Sequence, residues 1–479
     1  MGGPSTERHR ATSIALFALA FAPRAVYLAV ARSPFDNYNW LLAGSLLTDG
    51  SLSIGGVRTT AFEPLYPLFL AASRLLVGDR WWAVQMIQCA AGALGAPLLF
   101  RLTASLTGRT RAGVIAAAAY AAYPLLIRYG GNISDATLTT VLVLGFACAF
   151  TTADTTRRAA GAGVWLGLTL LTRAMALPLA PVGAALLWRE RSRRAAAAFI
   201  AATVAVAAPY ALRNYGLNGW LLPTRSGLNL FLSNCRYTAM ILPDYGPDIL
   251  EPYAFETLRS RLPAADPSPL RERAEDETFT RLAVEAMTAD PVGTLRLKLL
   301  NVWYFFSPTL VPLRDPTTDA VFRVDGPHGA AVQPGRPRPI VDRLVYTASY
   351  VPVAALAMAG IWIRRRALGR DAIMWAIVIT FVIVHVIYFP ATRYRVPIEF
   401  VALFYSAVAL DQASARRAAR RFMRFGSDTN HPAKAVFGTA PSTAVTRCSM
   451  WGAIRNRMAS PAPVFGASVN IVPDARSRS

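Results

Sequence analysis

Seven charged residues in this chain stand where chemistry needs them and where lipid makes them costly. Asp36 follows an apolar run ending near residue 31 and sits among Phe35, Tyr38 and Trp40. Aromatics mark a membrane interface, but a carboxylate there needs another reason. It can take a proton from a hydroxyl that comes within hydrogen-bond reach. Glu63 lies in "TAFEPLYPLFLA" with Pro64, Tyr66 and Pro67, directly ahead of an apolar helix. In "GGNISDATL", Gly130 and Gly131 predict a tight turn, Ser134 a helix cap, and Asp135 an anion in the first helical turn. Arg173 interrupts the apolar stretch 159–188, and "FPATRYRVPIE" holds Arg393 and Arg395 around Tyr394. Guanidinium groups bind two phosphate oxygens at once, so these arginines and Arg213 are candidate anion-binding residues.

The elements that must position these groups are membrane spans. The 479 residues are 54% hydrophobic and 16% charged, against about 25% charged in a soluble domain. Apolar windows of about 20 residues recur from residue 11 to residue 413. The net charge is +22, but the arginines sit in short loops between apolar runs. They set topology and do not indicate nucleic acid. With residues 1–10 inside, spans are expected near 11–31, 81–100, 112–128, 135–153, 195–213, 342–363, 372–390 and 396–413. The first span has signal-like basic residues before it, yet Arg24 interrupts it and no small-x-small site precedes Arg32, so it is expected to remain uncleaved.

Stretch 159–188 has arginines on both flanks and is too long for one ordinary span. We read it as two short helices with Arg173 at the outward tip, tolerable only where the backbone is buried in protein or faces a wet cavity. The resulting architecture is an all-α polytopic bundle of about ten transmembrane helices with a mixed external loop domain. Its parts are a core of 1–213 with a first external loop at 32–80, an external segment at 214–340, final spans at 341–413, and a basic tail at 414–479 expected to be disordered.

Segment 214–340 contains 14 of the 28 acids. Within it Phe279, Leu282, Ala283, Ala286 and Met287 share a helical face, and Val292, Leu295, Leu299, Trp303 and Tyr304 follow Pro291. These helices either lie on the membrane or pack on the spans. On this topology Asp36, Glu63, Asp135 and Glu399 gather at the outer interface with Arg128, Arg173, Arg213, Arg393 and Arg395. Ionisable groups there are candidate functional residues, structural ion pairs being the competing explanation.

The four cysteines are scattered and give no disulfide framework or CxxC pair. No Walker loop or dinucleotide fingerprint occurs. A divalent metal has weak candidate ligands in Glu63 and His328.

The blocks "PRAVYLAVARSPFDNYNWLLAGSLLTDG", "EPLYPLFLA", "YPLLIRYGGNISDATLTTVLVL", "GLTLLTRAMALPLAP", "PYALRNYGLNGW" and "RYRVPIEFVAL", in that order and on that side, resemble the C-type (GT-C) membrane glycosyltransferases. The likeness is to bacterial family 39 enzymes related to protein O-mannosyltransferases and the aminoarabinose transferase of lipid A, and it covers roughly residues 20–410. It implies a polyprenyl-phosphate sugar donor, inversion at the anomeric carbon, and a protein, lipid or glycan hydroxyl as acceptor. It also implies a bacterial plasma membrane with the site on the external face. Asp36 takes the place of the acid that activates the acceptor. The second acid common in the family is replaced by Asn37, and the lysine found beside "EPLYP" in the aminoarabinose enzyme is absent.

The resemblance further implies that Glu63 occupies a position able to join a metal site. Asp135 takes the place of a carboxylate that bonds sugar or acceptor, and Arg173 with Arg393 or Arg395 holds the lipid phosphate. Two other readings stay open: a lipid-linked sugar flippase, and a glycan polymerase or ligase that uses a diphosphate donor.

Overall fold

The computed structural model describes residues 4–31, 37–314, 320–325 and 329–427. Asp36 and His328 lie outside the described residues, as does the tail beyond Ser427. The chain divides into two compact units, Met1–Ala419 and Arg420–Ser479.

Helix α1 (Pro4–Val30) is followed by α2 (Asn37–Thr48), and a two-residue hairpin of β1 (Ser53–Ile54) and β2 (Val57–Arg58) leads towards α3 (Leu65–Val77). Only Leu94 separates α4 (Trp81–Ala93) from α5 (Gly95–Thr107). Next come α6 (Thr110–Ala122) and α7 (Pro124–Gly131), bent by 53°. The bend falls at Tyr123, which the following proline holds in an extended conformation.

After α8 (Ala136–Thr151), α9 (Thr156–Leu170) and α10 (Leu179–Glu190) form the two short helices expected of 159–188. A short 3-10 turn, Ala174–Ala176, lies between them. Helix α11 (Arg193–Asn218) packs closely on α9, where Gly163 and Gly167 stand four residues apart. A methyl group at either would collide with Phe199 or Val206 of α11, the small-residue contact typical of membrane helices.

Among the described residues, five stretches are long and apolar enough to cross a bilayer: Arg10–Val30, Trp81–Thr107, Arg193–Asn218, Ile340–Ala367 and Thr392–Arg417. The bent α6–α7 pair is a sixth. By length and composition the expected count of about ten is not confirmed. Segments 135–153 and 372–390 form helices of only 16 residues, short of the ~20 needed to span, and α9 and α10 are broken at the tip. The chain is a multi-pass membrane protein all the same, and its long and short helices share one apolar core.

The long middle segment supplies α12 (Ser226–Leu232), α13 (Thr238–Ile241), α14 (Glu251–Arg259), α15 (Pro269–Ala289) and α16 (Pro291–Phe305). A hairpin of β3 (Val321–Asp325) and β4 (Gly329–Gln333) follows, registered from Val321 opposite Gln333 to Asp325 opposite Gly329. This segment has its own cluster, in which Phe231, Ile241, Leu250, Phe279 and Phe322 meet Phe389 and Ala391.

The two helices read as amphipathic part company. Phe279, Leu282 and Ala283 of α15 are buried in that cluster, so this face packs on protein, whereas Val292, Leu295, Leu299 and Trp303 of α16 stay exposed.

Helix α17 (Ile340–Arg364), α18 (Ala372–Ile387), the short α19 (Thr392–Arg395) and α20 (Glu399–Ser427) are the last described elements. Gly360 of α17 lies against the Tyr405 backbone of α20, too close for any side chain.

Candidate functional site

The site is assembled from loops that the helices bring to one end of the bundle. The backbone N–H of Leu65 donates to Leu171 O at 2.9 Å, which fastens the loop before α3 to the end of α9. Three residues beyond Leu171, the Ala174 N–H donates to Glu63 Oε1 at 3.0 Å. Glu63 therefore fixes the backbone beside Arg173. Burial pushes its carboxyl above the ordinary range; the Ala174 bond opposes this, Asp135 adds to it, and Arg173 opposes it again.

Arg173 forms a two-pronged pair with Asp135, Nε to Oδ2 at 2.6 Å and Nη2 to Oδ1 at 3.0 Å. The fork joins the α9–α10 tip to the start of α8. Ser134 Oγ accepts the Ala136 N–H at 3.3 Å, whereas Asp135 stands at the N-cap position instead of in the first turn, and its carboxylate makes no cap bond. Gly130 and Gly131 are also not the turn expected of them. They end α7, and a methyl on Gly130 would press on the buried Arg24 side chain.

Tyr394 connects this tip to the "RYR" turn. Its ring carries the Arg173 guanidinium at 5.4 Å and that of Arg393 at 4.7 Å, and the His385 ring stacks on it at 4.3 Å. Arg393 is exposed and donates from Nη2 to the Tyr394 hydroxyl.

Arg395, one residue beyond Tyr394, is buried at 3% exposure. It donates to Glu399 Oε1 at 2.6 Å, to Phe305 O at 2.8 Å and to the Tyr346 hydroxyl, and lies 3.8 Å over the Tyr350 ring. Arg213 donates to Thr59 O at 3.0 Å and Leu52 O at 3.3 Å, so it braces the first loop. Tyr66 is buried, its hydroxyl donating to Gln88 Oε1 at 2.7 Å. Arg128 pairs with Asp342 at 2.8 Å.

Two buried glutamines, not among the residues the sequence singles out, also shape the site. Gln85 Nε2 donates to Gly131 O at 2.6 Å, and Gln88 Nε2 donates to Gly130 O at 3.1 Å and to Asn132 O. Together they shape the segment leading to Asp135. Their signal was present as two amides three residues apart in an otherwise apolar helix, which demands buried partners.

Of the two weak candidate metal ligands, His328 lies outside the described residues. Glu63 already accepts a backbone N–H, and among the described residues no three His, Cys, Asp or Glu side chains converge as a ligand set.

Comparison with known proteins gives a sequence-family match. Residues 61–211 match the profile described as dolichyl-phosphate-mannose-protein mannosyltransferase. No curated protein sequence matches the chain. Among solved structures, the oligosaccharyltransferase AglB of Archaeoglobus fulgidus, in complex with an inhibitory peptide and a dolichol-phosphate, is 15% identical with a TM-score of 0.49. That alignment covers 88% of this chain and 52% of that one, so the chain spans about half that protein's length. ArnT of Cupriavidus metallidurans bound to undecaprenyl phosphate is 13% identical with a TM-score of 0.37, covering 85% of this chain and 78% of that one. Over residues 61–211, which hold Glu63, Tyr66, Asp135 and Arg173, the chain is similar to the dolichyl-phosphate-mannose-protein mannosyltransferases, a family of the C-type membrane glycosyltransferases that its motifs resemble.

Proposed function

We propose that the protein transfers a sugar from a polyprenyl-phosphate donor to a hydroxyl of a protein, lipid or glycan, with inversion, at the external face of a bacterial plasma membrane. The observation that carries this reading is the pairing of two unlike arginines on one tyrosine. Arg173 is neutralised by Asp135 and held rigidly, whereas Arg393 is exposed beside it. Such a wall presents Arg393, which has no ion-pair partner among the described residues, to an incoming phosphate, and a fixed surface against which to orient it.

In the reaction, Asp36 accepts the proton of the acceptor hydroxyl as its oxygen bonds to the anomeric carbon. The bond from that carbon to the phosphate oxygen breaks on the opposite side. The departing lipid phosphate keeps the electron pair, and Arg393 stabilises the charge that develops on it. The assigned order of tasks is therefore Asp36 on the acceptor, Arg393 on the leaving group, and Glu63, Asp135 and Arg173 as the frame. Tyr66, Arg213 and Arg395 support that frame from behind. The external placement rests on the arginine-rich loops at the other end of the bundle, which the positive-inside rule assigns to the cytoplasm.

The test is sugar transfer by purified protein offered radiolabelled polyprenyl-monophosphate sugars with an extracted cell-envelope fraction as acceptor. Labelled product is expected from at least one monophosphate donor. Product from diphosphate donors alone would replace the proposed donor class, and lipid flipping without transfer would replace the activity.

A further inference from the structure

The end of the bundle opposite the candidate site holds a second built feature. A cavity of about 210 Å³ lies where the α5–α6 connection, the end of α17 and the middle of α20 converge, lined by Thr107, Arg109, Ile363, Arg364, Arg366 and Asp411. Glu399 and Asp411 are twelve residues apart on α20, so the cavity lies about 18 Å along that helix from the Arg395–Glu399 pair.

Its charges do not cancel. Arg364 is taken by the fully buried Asp371, Nε to Oδ2 at 2.8 Å with a second prong from Nη2 to Oδ1, and Tyr405 donates to the same carboxylate at 3.1 Å. Asp411 is shared between Arg109 at 2.8 Å and Arg111 at 3.8 Å. Arg366 is exposed at the cavity and has no ion-pair partner among the described residues. Three guanidinium groups, those of Arg109, Arg364 and Arg366, thus line the space with a single carboxylate, that of Asp411. Such a space requires an anion or water to satisfy its donors.

The surroundings identify the source of the anion. On α17, Met358 and Trp362 are 66% and 69% exposed, and Arg365 lies 4.6 Å over the Trp362 ring. An exposed tryptophan capped by arginine at the end of an apolar helix marks the headgroup level. The cavity therefore opens where phospholipid phosphates are concentrated, and basic pockets between helices at this depth suit anionic headgroups.

We infer that this cavity binds the phosphate of an anionic phospholipid headgroup, with Arg109 and Arg366 as its principal contacts. The site is distinct from the donor site and does not depend on it.

The test is native mass spectrometry of the purified full chain titrated with phosphatidylglycerol or with phosphatidylcholine. Retention of phosphatidylglycerol over phosphatidylcholine is expected, and Arg366→Gln, which breaks no ion pair among the described residues, should reduce it about fivefold. Arg109→Gln should do the same, provided its thermal melt shows a folded protein. Arg157→Gln, a change in a different groove, should leave it unchanged. Wild-type retention in Arg366→Gln, or an equal loss in Arg157→Gln, would overturn the assignment. A thermal shift with inorganic phosphate that phosphatidylglycerol fails to mimic would overturn the lipid as the source.

Discussion

The α9–α10 tip and the "RYR" turn each present arginine to the same tyrosine, yet they use it differently. At the tip, Arg173 is paired across the chain with Asp135, and Glu63 of a third element holds the adjoining backbone. In the turn, Arg395 is paired four residues along its own segment with Glu399 and sinks into the helix core, which leaves Arg393 at the surface. Long-range pairing fixes the relative position of elements, as a reaction frame requires. Local pairing stabilises one element and frees its neighbour to meet a ligand.

That contrast can be broken most severely at Arg395. Arg395→Gln should leave the buried Glu399 carboxylate without its partner, a loss of about 3–5 kcal/mol. It should therefore appear as reduced folded yield and a lower melting temperature before any kinetic effect. Combining Arg395→Met with Glu399→Leu should restore much of the yield, because no lone charge then remains buried. A singly substituted protein of wild-type stability would erase the distinction between turn and tip.

Arg173→Gln should act on rate instead, lowering transfer about 100-fold through loss of orientation while the melting temperature falls far less than with Arg395→Gln. Arg173→Lys should not rescue, because an ammonium cannot form the two-oxygen fork on Asp135. Rescue by lysine would show that charge alone matters at the tip.

A smaller effect is expected at Arg393. Arg393→Gln should raise the donor KM about tenfold, the equivalent of ~1.4 kcal/mol, with an unaltered melting temperature. An unchanged donor KM would remove Arg393 from the phosphate contact.

The mildest change is Glu63→Gln, whose amide oxygen can still accept the Ala174 N–H, so transfer should stay within about twofold. Its pH signature is more telling. Burial raises the Glu63 carboxyl, so the native state holds this proton to higher pH than the unfolded chain. Wild-type stability should then fall as pH rises from the ordinary carboxyl range towards the raised value, and the variant should lack that slope. A divalent-metal role for Glu63 would instead make the substitution abolish metal-dependent activity.

Much of this arrangement was legible in residue order and charge sidedness. Arginines on both flanks of 159–188, with Arg173 in its middle, were enough to foresee a broken pair of helices. The burial of Arg395 beside an exposed Arg393 was not legible, because the two differ by a rotation of about 200° around one short helical turn. The role of Asp135 was hidden for a related reason. A carboxylate in a first helical turn has a sufficient local explanation, and its true partner lies 38 residues away. The α15 and α16 faces looked alike because periodicity reports that a face is apolar, not whether protein or lipid covers it.

The central claim is that a carboxylate at the outer interface activates the acceptor against a lipid-phosphate donor. Its most direct measurement is the single-turnover rate of Asp36→Asn beside wild type, with the monophosphate donor that the panel identifies. The account predicts a rate lower by about 10²–10⁴-fold, with donor binding and thermal stability retained. An Asp36→Asn protein that transfers sugar at the wild-type rate would contradict it.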